Sequence, residues 1–446
     1  MGLSGYMTRG RWLRNSAMGI ALSLSLVAGA GLISEPAHAA KKKDKAPKLK
    51  PSKGFAAVAG PAQEAINKLA ADDAGAVANA KAELEKAFAA VETGDDKFFA
   101  GSFAVNLGSK LRDPSLQRRG IKAMLESGMA GDDEPRFNAI AGQFAYQAKD
   151  FAEAQLYLQR AVDAGYREDN LEALLAEAYI ANNQVEKGLS MLGDAILAGR
   201  QSGTLAPESW YRRGIGSAYS AKDIAHVAQF GAMFIADYPQ PGNVGVAVTV
   251  VRDLGNFGAQ ETLDLMRLMG RSKSYNEPRD YVEYIQAADP RRLPGEVLDI
   301  VNAGLAAGQL KMSDPFVSDA KEQATLRASA DRASLASFEA DARKPSANEA
   351  TATGAADAFL SYGQAAKAEE LYSIALTKTG ADMERILTRQ GIAQFDQGKY
   401  GEAQKTFARI TGKRAPIAQL WAAYAQSKAP KPAAQPAAPA ASEAAQ

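Results

Sequence analysis

The chain has 446 residues, with 52 Lys and Arg side chains against 51 Asp and Glu side chains, and it contains no cysteine. The lack of thiols excludes disulfides, thiolate metal sites and a lipid anchor on an N-terminal cysteine. Once a Lys-rich segment near the N-terminus is set aside, the rest of the chain is acidic on balance, which argues against a nucleic-acid partner.

The first 39 residues have the pattern of a secretory signal peptide. Three arginines precede an apolar run from Met18 to Ile33, and Ala37 and Ala39 follow at the spacing that a signal peptidase recognises. Because the run is shorter than the ~20 residues of a membrane-spanning helix, cleavage after Ala39 is favoured over an uncleaved anchor. For a Gram-negative source we therefore predict a soluble periplasmic protein, with no lipid anchor and no transmembrane segment in the mature chain.

Both ends of the mature chain are predicted to be disordered. Residues 40–54 form a Lys-rich arm with seven lysines between Lys41 and Lys53, and residues 429–446 form a Pro- and Ala-rich tail. The arm is either a solubilising spacer or a weak tether to anionic lipid or envelope polymer, at ~1 kcal/mol per Lys near a charged surface. The spacer is favoured, because runs of like charge are usually solvated.

The middle of the chain repeats itself at a step of 34 residues. Ala154, Leu158 and Ala161 recur as Gly188, Leu192 and Ala195. In each copy an apolar stripe at helical spacing runs up to a glycine, Gly165 or Gly199, which predicts the end of a helix. Helices this short are marginal in isolation, so each hairpin is expected to bury its stripe against its neighbours. A fixed period of this length predicts stacked helical hairpins.

The repeat resembles the tetratricopeptide repeat family. That family has small residues at positions 8, 20 and 27 of its hairpin and a large residue at position 24, and Gly142, Ala154, Ala161 and Leu158 fall on these positions. The resemblance implies an all-α fold, a superhelical solenoid that binds other molecules. An N-terminal block of residues 55–308 is predicted, with units near 135–166, 169–199, 207–238 and 278–308.

The later units of this block depart from the family pattern. Val227 and Gly231 replace the expected Ala and aromatic residue in the third unit, and Tyr284 and Glu296 replace small residues in the fourth. Valine-rich residues 243–251 have no partner strand, so a buried helix is predicted there.

The pattern returns in a C-terminal block, residues 350–428, which ends in a predicted capping helix from Ala415 to Ser427. Residues 309–349 are predicted to be a connecting helix and linker, with one long helix from Pro315 to Arg343. The two blocks are either separate bodies joined by this helix or parts of one continuous superhelix.

Residues with catalytic or metal-binding chemistry are scarce. After removal of the signal peptide His226 is the one histidine, and without an evident co-ligand it is expected to pack in the third unit. No phosphate-binding loop or nucleophile motif occurs. Three carboxylate pairs lie at helix junctions, where capping is the expected role: Asp72-Asp73, Asp95-Asp96 and Asp132-Asp133. No catalytic residue, cofactor or metal ligand is therefore predicted.

The favoured function is a non-catalytic periplasmic scaffold or adaptor that binds a protein or peptide partner through a concave groove. One alternative is a bridging subunit of an envelope polysaccharide-export or secretion system. Another is an accessory to a cell-wall enzyme, similar to the helical superstructure of soluble lytic transglycosylases. The segment after Thr411 is too short for the lysozyme-like domain of those proteins, so the chain is not expected to be an enzyme.

The resemblance also implies which residues face the groove. The candidates are Arg136, Gln143, Tyr146, Gln147, Asn170, Glu177, Ile180, Arg385, Thr388, Ile392, Phe395 and Asp396. Some family members clamp a chaperone's C-terminal carboxylates with a set of Lys and Asn side chains. Ala139 and Gln143 occupy the first two places of that set here, so this ligand class is not expected.

Overall fold

A computed structural model describes residues 49–167 and 170–430. Within these ranges the chain forms 20 α-helices, one short 3-10 helix and no strand, which confirms the predicted all-α fold. The predicted signal peptide, most of the Lys-rich arm and the tail from residue 431 lie outside the described residues. No helix in the described part of the chain is both long enough and apolar enough to cross a membrane.

The chain divides into two compact units between Ala178 and Tyr179. The first unit contains α1 (Lys53–Asn67), α2 (Ala74–Ala89), α3 (Gly94–Leu111), α4 (Pro114–Glu126), a 3-10 helix (Gly131–Asp133), α5 (Glu134–Gln147) and α6 (Phe151–Asp163), and α7 (Leu171–Ala181) crosses the division.

Side-chain caps set several helix starts in the first unit, as predicted for two of the carboxylate pairs. Asp73 accepts hydrogen bonds from the backbone N–H groups of Gly75 and Ala76. Asp96 and Thr93 form a reciprocal capping box at the start of α3. The third pair differs, because it lies in the 3-10 helix and Asp133 makes no side-chain bond to the start of α5.

Glycines allow the closest helix contacts of the first unit. A Cβ atom on Gly120 of α4 would lie 2.5 Å from the carbonyl oxygen of Gly101 in α3 and 2.7 Å from the backbone nitrogen of Val105. Real Cβ atoms do not approach backbone this closely, so α3 and α4 can pack at this separation only with glycine here.

A second close contact recurs in three hairpins at the same sequence spacing. Gly142, Gly214 and Gly391 each leave no room for a Cβ, because a large side chain 16 positions later lies against them: Leu158, Phe230 and Phe407 respectively. The small residue is on the first helix of the hairpin and the large residue is on the second. The repeated spacing therefore reflects repeated packing.

The second unit contains the remaining helices. They are α8 (Val185–Gln201), α9 (Glu208–Ser220), α10 (Ile224–Asp237), α11 (Pro241–Leu254), α12 (Ala259–Ser272), α13 (Pro278–Ala288), α14 (Pro294–Ala306), α15 (Pro315–Ala342), α16 (Glu349–Ser361), α17 (Ala365–Ala375), α18 (Met383–Asp396), α19 (Tyr400–Phe407) and α20 (Ala415–Lys428). The buried helix predicted at 243–251 is α11, and the single long helix predicted from Pro315 is α15.

One predicted helix end is wrong. The first copy ends after α6 at Gly165, which has φ 82°, as predicted. Gly199, however, lies inside α8, which continues to Gln201 and is followed by Gly203 with φ 79°. The left-handed conformation favours glycine and stops a helix, and Gly203 is the residue that adopts it.

The C-terminal helices pack back onto the middle of the second unit. Helix α20 packs along α10 and also contacts α11 and α12, and α18 contacts α12. Leu420 of α20 approaches Gly231 of α10, which has no side chain to obstruct it. The residues on both sides of the predicted linker at 309–349 belong to the same compact unit.

Candidate functional site

Helices α5 and α7 bring together two of the predicted groove residues in the first unit. The Tyr146 hydroxyl donates to Glu177 Oε2 at 2.9 Å, and the Tyr146 ring meets Phe151 edge-on at 5.5 Å. Tyr146, Gln143, Asn170 and Glu177 are half-buried, whereas Arg136 and Gln147 are exposed. Ile180, in the second unit, is also half-buried. Of these N-terminal groove positions, Arg136 and Gln147 are thus the most accessible to a partner.

The predicted groove positions of the C-terminal block lie differently. Thr388, Ile392 and Phe395 are buried, so the expectation that they face an open groove is wrong. Phe395 is covered by α20, whose Trp421 and Tyr424 rings each lie 5.4 Å from the Phe395 ring. The other two positions are held in ion pairs, Arg385 with Asp357 at 2.9 Å and Asp396 with Arg271 at 2.8 Å.

One carboxylate joins three arginines in the core of the second unit. Asp264 is fully buried and accepts hydrogen bonds from Arg267 at 3.1 Å, from Arg389 at 3.2 Å and from Arg414 at 2.6 Å. Its backbone carbonyl accepts the indole N–H of Trp421 at 2.9 Å. These partners come from α12, α18 and the start of α20, so a single residue links the middle of this unit to its C-terminal helices.

Two further buried carboxylates complete this network. Glu296 accepts both Nε and Nη2 of Arg267, at 2.8 and 2.7 Å, and Asp357 accepts Nη1 of Arg389 at 2.5 Å. Burial acts to raise the pKa of Glu296, but the opposing charge and hydrogen bonds of Arg267 lower it to about 2. Burial likewise acts to raise the pKa of Asp357, and the charge of Arg389 lowers it to about 2. Both groups are therefore ionised at neutral pH.

The departures from the repeat pattern at Tyr284 and Glu296 have a role in this network. The Tyr284 hydroxyl donates to Glu296 Oε1 at 2.5 Å, and both side chains are buried. The family pattern expects small residues at these positions, so the network replaces ordinary hairpin packing here. Nothing in the repeat period could have indicated it.

A cleft of about 820 Å³ lies beside the contact between α10 and α20. On each of the two helices, alanines and glutamines that line the cleft follow one another at steps of four, three and four residues. They are Ala225, Gln229, Ala232 and Ala236 on α10, and Ala415, Gln419, Ala422 and Gln426 on α20. Apolar Met233, Phe407 and Ile410 also line it. Small wall residues keep the cleft open, and the amides offer both donors and acceptors.

Two cationic side chains also line this cleft, Arg200 and Lys405, and none of its described lining residues carries a carboxylate. Arg200 is paired with Asp237 at 2.7 Å, Lys405 is exposed, and the half-buried His226 is another lining residue. The sequence analysis missed the cleft, because its two walls come from segments about 190 residues apart and neither wall is a recognisable motif.

His226 is half-buried in α10, as the sequence predicted, and two carboxylates lie near its ring. Its Nδ1 atom lies 2.6 Å from Asp223 Oδ2 and 3.9 Å from Glu186 Oε2. The Asp223–His226 spacing of three residues was visible in the sequence and could have signalled the first contact. Glu186 comes from a different helix, so only the fold brings it near.

Comparison with known proteins does not assign this chain to a family. No model of a known protein family matches this chain, and no curated protein matches it.

Proposed function

We propose that this chain is a non-catalytic scaffold or adaptor that binds a protein or peptide partner. The observation that carries the proposal is the cleft between α10 and α20. Recognition clefts combine a mostly apolar lining with a few convergent polar groups, and Met233, Phe407 and Ile410 with the glutamine amides make such a lining. The resemblance of the hairpins to tetratricopeptide repeats, a family of binding proteins, also supports it.

An extended peptide is the occupant that this lining suits best. Gln229, Gln404, Gln419 and Gln426 present side-chain amides, which can donate to and accept from the main chain of a peptide. With Lys405 exposed and no carboxylate side chain in the lining, a peptide of neutral or acidic character is favoured.

We further propose that the partner is met outside the cytoplasm. The arginines, the apolar run and the Ala37–Ala39 spacing support export with cleavage after Ala39. N-terminal sequencing of the protein from its native host should then begin at Ala40. A mature protein that retains Met1 and sediments with membranes would contradict export.

Site-specific photo-crosslinking tests the binding proposal. A photoreactive amino acid at Gln419 or Gln426 should crosslink one defined partner in the native host. The matched control is Gln323, an exposed glutamine of α15 outside the cleft, which should give none. Filling the cleft with Ala232→Trp should abolish crosslinking at Gln426. Equal crosslinking at Gln323, or an Ala232→Trp variant that still folds and crosslinks, would contradict the proposal.

A further inference from the structure

Three side chains of the types that ligate metal ions converge where α8 meets α10 in the second unit. His226 Nδ1 and one carboxylate oxygen each of Asp223 and Glu186 all lie within 4.8 Å of one another. Such sets can hold an ion, but exposed carboxylates also meet by chance. The local geometry therefore has to show whether these side chains only cap α10 or can also bind an ion.

The backbone of α10 already orients two of the three donors. Asp223 is the N-cap residue, and its Oδ1 atom accepts the backbone N–H groups of Ala225 and His226, both at 3.1 Å. Its second oxygen is thereby directed at His226 Nδ1.

The third donor is free to adjust to an ion. The Glu186 side chain is 82 % exposed, whereas the His226 side chain is only 15 % exposed. The neighbouring Lys187 ammonium lies over the Tyr179 ring at 4.2 Å rather than between the carboxylates. One exposed carboxylate thus faces two donors that the start of α10 orients.

We propose that Glu186, Asp223 and His226 form a binding site for a divalent transition-metal ion, with Zn²⁺ as the best fit. One imidazole nitrogen and two carboxylate oxygens are ligand types that Zn²⁺ accepts, at roughly 2.0–2.2 Å from the ion. Donors of one tetrahedral ion lie ~3.3 Å apart, so the contact of 2.6 Å between Nδ1 and Oδ2 widens slightly and Glu186 moves inward. The Nδ1 proton is released on binding.

Such an ion would lie beside the cleft described above, because His226 is one of the residues that line it. Three protein ligands leave a coordination position open, which a carboxylate or carbonyl oxygen of a bound molecule could fill. The metal site does not depend on the proposed peptide function, and the two are tested separately.

The histidine and cysteine content of the chain makes the test direct. The full chain has two histidines, His38 and His226, and no cysteine, so it is purified with a tag that lacks both residue types. Titration of the full chain with Zn²⁺ against a chromogenic chelator should give one ion per chain. His226→Gln, which can keep a hydrogen bond to Asp223, and Glu186→Gln should each weaken that affinity by roughly tenfold or more.

The matched control is His38→Ala, which should leave Zn²⁺ affinity unchanged. Imidazole ¹⁵N signals provide a second readout, since one of the two histidines should shift with Zn²⁺ and that signal should be absent in His226→Gln. Circular dichroism establishes that each variant folds. Equal affinity in His226→Gln and wild type, loss in His38→Ala, or no saturable binding at micromolar Zn²⁺ would overturn the proposal.

Discussion

The Arg414 guanidinium donates to Asp264 Oδ2 at 2.6 Å across a separation of 150 residues. Both side chains are buried, and Asp264 also accepts Arg267 and Arg389. A buried carboxylate among several guanidiniums cannot be removed without leaving uncompensated charge. This contact therefore couples the start of α20 to α12.

Replacing Asp264 with Asn should destabilise the second unit by roughly 3–5 kcal/mol, because three guanidiniums lose their common carboxylate. Urea unfolding measures the loss. Hydrogen exchange should rise first in α12, α18 and α20, which meet at this residue. Asp319→Asn, at an exposed position of α15, is the control and should stay within about 0.5 kcal/mol of wild type. Equal effects of the two substitutions would contradict the coupling.

Two glycine substitutions separate close packing from backbone entropy. Gly120→Ala should cost about 1–3 kcal/mol, since its Cβ would meet the backbone of α3. Gly354→Ala, at an exposed position of α16 with no described atom within 4 Å of the added Cβ, should instead stabilise by ~0.5–1 kcal/mol. Thermal unfolding of the two variants should therefore shift in opposite directions.

The buried carboxylates predict how acid affects the second unit. The pKa of Glu296 falls from an ordinary value of 4.5 to about 2 on folding, so its contribution is complete above pH 4.5 and is lost as the pH falls towards 2. Stability measured by urea at pH 7 and 5 should differ little on this account, and should fall by pH 3. Glu296→Gln should be less stable at pH 7 and should show a flatter decline between pH 4.5 and 2. An unchanged acid profile in this variant would assign the decline to other groups.

Two predicted groove residues of α5 should behave differently when changed. Tyr146→Phe removes the hydrogen bond to Glu177 and should cost about 0.5–1.5 kcal/mol. Arg136→Ala changes an exposed side chain and should alter stability by less than about 0.5 kcal/mol. If Arg136 faces a partner, capture of the crosslinked protein should weaken in Arg136→Ala although unfolding is unchanged. Unaltered capture would remove this residue from the binding surface.

The Lys-rich arm offers a separate test of the spacer interpretation. Changing Lys41, Lys42 and Lys43 to Ala should leave crosslinking from Gln419 and Gln426 intact, because a spacer makes no specific contact. Sedimentation with vesicles of anionic lipid should also be equal for both chains. If the variant lost both crosslinking and vesicle binding, the arm would be the functional element instead.

The sequence by itself determined the helices and much of their pairing into hairpins. Helix starts at Asp73 and Thr93, the stop at Gly165, and the contact of Gly142 with Leu158 all depend on residues within about half a repeat of one another. Such local interactions leave a pattern of fixed period. The all-α fold and the long helix from Pro315 were therefore predictable.

Only the tertiary structure decided which faces stay open. The repeat pattern predicts that Ile392 and Phe395 face a groove, yet both are buried and α20 covers Phe395. Asp264 joins α12 to α18 and α20 through arginines 125 and 150 residues away. Glu186 likewise reaches His226 only because α8 and α10 pack together. Contacts between distant segments follow from the path of the whole chain, and no local period or spacing encodes them.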